Sequence, residues 1–165
     1  MHTEFGATWG RALVAMSIIA TIILIVIPFA GMSTIPNGDF IGKMFLLVLP
    51  PVILISALMF VIRGYVLTDD SLHIKRLFWN TKINLSTLKS AGLNPVLVKK
   101  SMRTFGNGGL FSFTGRYWNK QLGHFRMFVT NFDHSVVLKF MDRVIVVSPD
   151  EPAMFVAKMN MYLKK

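Results

Sequence analysis

The sequence predicts an α-helical transmembrane hairpin followed by a mainly-β domain of about seven strands, capped by a C-terminal α-helix. Three observations carry this reading. Two long charge-free apolar runs fill most of the first 62 residues, the apolar period shortens toward two after Ile62, and a helix start at Ser148-Pro149-Asp150-Glu151 follows the last strand-like segment.

The second apolar run is the clearer of the two. Met44 to Ile62, MFLLVLPPVILISALMFVI, is fenced by Lys43 and Arg63. Its 19 residues reach about 28 Å at the helical rise, close to the roughly 30 Å hydrocarbon core of a bilayer. Ala12 to Gly31 is a further charge-free run of twenty residues. A cleaved signal peptide is the rival for this first run, but the apolar stretch is longer than a usual signal core and Pro28-Phe29-Ala30 is a poor cleavage site. Residues 1–11 read as a polar tail outside the bilayer, with Trp9 at the interface beside Arg11. The chain therefore divides into residues 1–63, a tail with spans at 12–31 and 44–62, and residues 64–165, a separate domain.

Pro28, Pro50 and Pro51 fall inside the spans, where each ring removes a helical donor. They mark either a hinge or a tolerated kink. With no ionisable residue in either run, nothing suggests an ion or proton path. Residues 32–43, with Ser33, Pro36-Asn37-Gly38 and Asp39, form a short connection suited to an antiparallel pair. Arg63, Lys75, Arg76 and Lys82 follow the second span, against Lys43 alone before it. This places the C-terminal side, and with it the N-terminus, in the cytoplasm.

Beyond Ile62 the strand candidates come in order. Tyr65–Thr68 and Leu72–Trp79 flank a turn at Asp69-Asp70-Ser71, with Leu72, Ile74 and Phe78 expected on one face and His73 and Lys75 on the other. Thr81–Asn84 is a third short strand. Leu85–Gly92 is ambiguous, since Ser86 would cap a helical turn, and Val96–Lys100 alternates weakly into a basic patch. Phe105–Gly123 is the least regular segment. Its glycines suggest positive φ at Gly106, Gly108, Gly109 and Gly115, letting Phe111, Phe113, Tyr117 and Trp118 pack inward or onto a membrane surface. His124–Thr130, Ser135–Phe140 and Val144–Val147 are three further strands at hairpin spacing. Ser148 to Glu151 fits a capping box with Pro149 at the first helical position, although Pro152 leaves the start open by about three residues. Phe155, Val156, Met159 and Leu163 then recur at helical spacing and form a face to close over a sheet.

Short strands followed by one capped helix in about 100 residues is the order of a pleckstrin-homology domain. The run from Gly108-Gly109-Leu110-Phe111 to Gly115-Arg116-Tyr117-Trp118 resembles the bacterial pleckstrin-homology family of membrane-tethered proteins. So do Leu122-Gly123-His124-Phe125-Arg126, Val129-Thr130-Asn131, and Val147-Ser148-Pro149-Asp150-Glu151-Pro152 with Phe155. The resemblance covers roughly Gly64 to Leu163. It implies two packed antiparallel sheets plugged by the helix, and a class of tethered, non-catalytic domains. It brings no binding residues with it.

The chemistry agrees with a module of that class. The chain has no cysteine, which excludes disulfides, thiolate zinc sites and a cysteine nucleophile. His2, His73, His124 and His134 lack metal-ligand spacing, and turns or a helix start explain the six carboxylates beyond Arg63. No catalytic, cofactor-binding or metal residue is assigned. The glycines of 105–123 lack the Lys-Ser/Thr or strand–helix context of a phosphate loop. All of the +10 net charge lies from Arg63 onward. Arg63, Lys75, Arg76, Lys99, Lys100 and Arg103 are the candidates for contact with an anionic lipid surface; alternatively these charges only set topology and keep the domain soluble. The expected protein is a non-catalytic binding or scaffold module, multi-pass in a bacterial inner membrane with its C-terminal domain cytoplasmic. Its partners would be the lipid bilayer and a membrane or cytoplasmic protein. The alternative is an accessory subunit of a membrane enzyme or transport complex. Nucleic acid has only the basic pI in its favour, without helix-turn-helix or aromatic RNA-binding motifs.

Overall fold

Both apolar runs are helices. In the computed structural model, which describes residues 2–36 and 39–163, α1 (Arg11–Met32) and α2 (Phe40–Met59) continue through their prolines and pack side by side. Gly31 sits so close to Leu46 that a Cβ there would stand 2.6 Å from its Cδ2. The Asp39 carboxylate caps α2 by accepting the Gly42 N–H at 2.9 Å; the Asn37-Gly38 part of the predicted turn lies outside the described residues. Only 11% of the most apolar window of each helix is buried, so neither is a core helix, and each is long and apolar enough to cross a membrane. α2 stops at Met59, short of the expected Ile62, because Ile62 is taken into the domain core.

The helical pair is inserted into the β-domain. Residues 3–6 are not a loose tail: β1 (Thr3–Gly6) pairs antiparallel with β2 (Ile62–Leu67), from Thr3 opposite Leu67 to Gly6 opposite Gly64. Phe5 is buried, its ring edge-on to Phe155 at 5.2 Å. The Thr8 amide and hydroxyl both donate to the Asp150 carboxylate, and Gly10 N–H donates to the Thr130 carbonyl at 2.9 Å. The sheet and the core thus draw on residues from both sides of the helices.

Ten strands are found among the described residues, in two sheets. The first runs β1-β2-β3-β4, with β3 (Ser71–Arg76) and β4 (Asn80–Asn84). The second runs β5-β9-β10-β8-β7-β6, from β5 (Leu88–Leu93), β6 (Met102–Gly108), β7 (Phe113–Asn119), β8 (Gly123–Val129), β9 (Val136–Phe140) and β10 (Val144–Val147). All pairs are antiparallel except β8 with β10, which run parallel. A short α3 (Pro95–Lys99) takes the place of the weak Val96–Lys100 alternation, and α4 (Pro152–Tyr162) ends the fold.

The period-two pattern divides the second sheet into two buried faces. Phe128, Leu138 and Ile145 point between the sheets with Tyr65, Leu72 and Ile74, and α4 closes this core with the fully buried Phe155 and Met159. Val129, Val137 and Val146 point the other way, under Val98 of α3 and Leu13 of α1. Several expectations are corrected here. Phe78 is 70% exposed at the β3–β4 turn, since β3 ends at Arg76 and the alternation ends with it. The ambiguous Leu85–Gly92 divides: residues 85–87 are a turn, with the Ser86 N–H donated to Asn84 Oδ1 at 2.8 Å, and from Leu88 the chain is strand because β5 pairs with β9. Ser148 is buried against Thr130 and Tyr65 instead of capping, so α4 begins at Pro152. Leu163 lies beyond α4 and is 36% exposed, while Tyr162 packs on the core.

Candidate functional site

Two joints tie the helices to the β-domain. On α1, Leu13 and Ser17 are buried, and the Ser17 hydroxyl donates to the Gly109 carbonyl at 3.0 Å. The turn it meets is shaped for close approach. Gly109 has φ 121° and a Cβ there would stand 2.9 Å from Met16 Cε. Gly106 and Gly115 also take positive φ, whereas Gly108 does not; Phe111 does, at 63°, with its ring 6.0 Å from that of Trp9. On α2, the carbonyl of Phe60, just past the last turn, accepts from Arg76 Nη1 at 2.9 Å and from the Ser112 hydroxyl at 3.2 Å. A cation at this end also meets the negative pole of the helix.

Arg76 is buried to do this. Its Nε donates to the Thr81 hydroxyl at 3.2 Å, and its Cζ lies 5.4 Å from the Phe60 ring and 5.5 Å from that of Phe128. Burial, and then the neighbouring Arg126, pull its guanidinium below the usual range.

Beside the α2 joint opens a cleft of about 710 Å³ between the helix and strands β6–β8. Ile53, Ala57 and Phe60 form its apolar wall, and four arginines line it from the β-domain: Arg76, Arg103, whose Nη1 donates to the Gly106 carbonyl at 3.2 Å, Arg116 and Arg126. Arg116 and Arg126 are directly opposite each other in the β7–β8 ladder, a cross-strand placement of like charges that is unfavourable by itself. No Asp or Glu lines the cleft, and among the described residues none of the four is ion-paired. Asp142 stands in an adjoining recess that shares Arg116 and Arg126, where it lies 3.7 Å from Arg143. Among the described residues there is no group of three or more His, Asp and Glu able to hold a metal.

The six basic residues picked from the sequence have different surroundings. Arg63 and Lys100 are exposed, Lys75 pairs with Glu4 of β1, and Lys99 pairs with Asp133 at 2.6 Å. Arg76 and Arg103 alone of the six share the cleft. Sequence reasoning missed Arg116 and Arg126, because their meeting depends on β7, inside the stretch that read as irregular.

Two sheets around a shared core with a closing C-terminal helix fit a PH-like domain, a class of generally non-catalytic binding modules. The chain belongs to the bacterial PH domain family, whose family model matches residues 63–162. No curated protein matches the chain. No solved structure matches it either.

Proposed function

We propose that this chain is a membrane-anchored, non-catalytic binding module. α1 and α2 cross the membrane as a hairpin, and the PH domain is held against the cytoplasmic face, where it engages a protein partner and contacts anionic lipid. The observation that carries this reading is the insertion of both helices between two paired strands, β1 and β2. A hairpin that leaves and re-enters one sheet puts the segment before α1 and the domain after α2 on the same side of any membrane the helices cross. It also argues against removal of residues 1–31, which would strip Phe5 from the core. The excess of Lys and Arg after α2 favours the cytoplasmic side. With only Phe60 and Val61 between α2 and β2, and both helices bonded to the domain, the orientation of the domain is set by the anchor.

A reporter fused after Lys165 tests the topology. Enzymes active only in the cytoplasm should work there, and alkaline extraction should leave the chain in the membrane fraction. Activity of an export-dependent phosphatase at that position would overturn the topology, and release by alkali would overturn the anchor. Cross-linking from the domain surface in intact cells tests the binding half; a chain that cross-links to no other protein would leave a tether without a scaffold role.

A further inference from the structure

We propose that the arginine cleft between α2 and strands β6–β8 holds the phosphate of one anionic phospholipid, with the acyl chains lying along α2. The inference rests on the reading of α2 as a membrane span and goes beyond the diffuse surface attraction expected from net charge. Charge complementarity comes first. Four arginines line one cleft with no carboxylate in its lining; Arg76 and Arg103 each give one Nη1 to a backbone carbonyl, and Arg116 and Arg126 stand opposite each other in the ladder. An anion between them converts repulsion into attraction, and guanidinium is the side chain whose planar fork matches phosphate oxygens.

Depth is the second argument. The helix wall runs from Ile53 to Phe60, the last two turns of α2, about 10 Å at the helical rise. In a span of 20 residues, about 30 Å long, this stretch is the end that reaches the boundary between hydrocarbon and headgroups. The cleft is therefore apolar on the side that faces acyl chain and cationic on the side that faces headgroup. Exposed Trp79 and Phe105 stand at the same end: Trp79 lies edge-on to Phe60, and Phe105 lines the cleft. Aromatic side chains of this kind are favoured at the level of lipid headgroups. The volume is in the range of sites that enclose a small ligand, enough for a headgroup and the first part of its chains.

The test uses the full chain in nanodiscs of phosphatidylcholine alone or phosphatidylcholine mixed with phosphatidylglycerol, followed by native mass spectrometry of the released protein. The unmodified chain should retain one phosphatidylglycerol in preference to phosphatidylcholine. Retention should fall by about fivefold for each guanidinium removed in Arg103→Gln, Arg116→Gln and Arg126→Gln, and stay unchanged in a charge-matched Lys89→Gln, Lys120→Gln, Lys139→Gln variant outside the cleft. Arg103→Gln alone serves if the triple variant does not fold. Equal retention of the two lipids, or equal loss in the arginine and lysine variants, would overturn the site in favour of diffuse charge. Displacement by inorganic phosphate at matched concentration would overturn the lipid assignment in favour of a free anion. Failure of the chain to insert into any nanodisc would sink the membrane reading as well; insertion without lipid preference sinks this inference alone.

Discussion

Ser17, on the apolar face of α1, accepts the backbone N–H of Phe111 at 2.9 Å while its hydroxyl proton goes to the Gly109 carbonyl. A hydroxyl inside a long apolar helix usually turns back on its own helix; this one joins the helix to a loop 94 residues away. Ser17→Ala removes both bonds and leaves the positive-φ turn at Phe111 without its partner, at a cost of about 1–3 kcal/mol. The detergent-solubilised variant should melt earlier and exchange the amides of 109–111 faster, with the sheets unaffected. Unchanged exchange at those amides would show that the joint does not hold the turn.

Tyr65 is fully buried, and its hydroxyl donates to the Phe128 carbonyl at 2.8 Å and accepts the Ser148 N–H at 3.1 Å. Burial pushes its phenol up to about 12 from 10.0, and does the same to Tyr117. The unfolded chain therefore loses these protons first as pH rises. The contribution is fully present below about pH 10 and is lost progressively between about 10 and about 12. Tyr65→Phe should flatten that alkaline fall. It should also lower stability at neutral pH by about 1–3 kcal/mol, because the Ser148 N–H is left without its partner in the core. Identical alkaline slopes for the two proteins would show that Tyr65 does not drive the loss.

The sequence signals that worked were local and periodic. Val144–Val147 is strand at the expected bounds, since four apolar β-branched residues between turns leave little else to form. The two apolar helices were legible from charge-free length alone. What escaped depends on distant pairing. Thr3–Gly6 carries no strand pattern of its own and becomes β1 only because β2 offers an edge to it. The glycine-rich 105–123 looked irregular because Gly106 and Gly115 have no side chain to alternate, yet they face each other across a β6–β7 ladder that runs on past a bulge between Arg103 and Phe105. The cleft was hidden for the same reason: Arg103, Arg116 and Arg126 come from three strands, and two of these were not foreseen. Ser148 had the spacing of a helix cap, but a buried amide at Thr130 2.8 Å away was the stronger claim on its oxygen.

The pairing of β1 makes residues before α1 part of the domain core. Phe5 is 4% exposed and meets Phe155 edge-on, so Phe5→Ala should cost about 3–5 kcal/mol. A fragment of residues 64–165 should accordingly melt well below one in which residues 2–10 are joined to it by a short linker in place of the helices. Equal melting temperatures for the two fragments would mean that β1 adds nothing to the core.

The closing role of α4 is a question of which face it buries. Phe155 and Met159 are fully buried one helical turn apart, while Leu163, at the same spacing again, has left the core. Met159→Ala should therefore cost about 2–5 kcal/mol, and Leu163→Ala should stay within about 0.5 kcal/mol. Truncation after Val147 removes both buried side chains, at about 1.5–3 kcal/mol each, and also opens the edge of Phe5, against a total stability of about 5–15 kcal/mol. The truncated chain should lose its cooperative melt. Thermal unfolding of the three variants decides the matter: a truncated chain that melts like the parent, or a Leu163→Ala loss as large as that of Met159→Ala, would show that the helix does not plug the sheets through Phe155 and Met159.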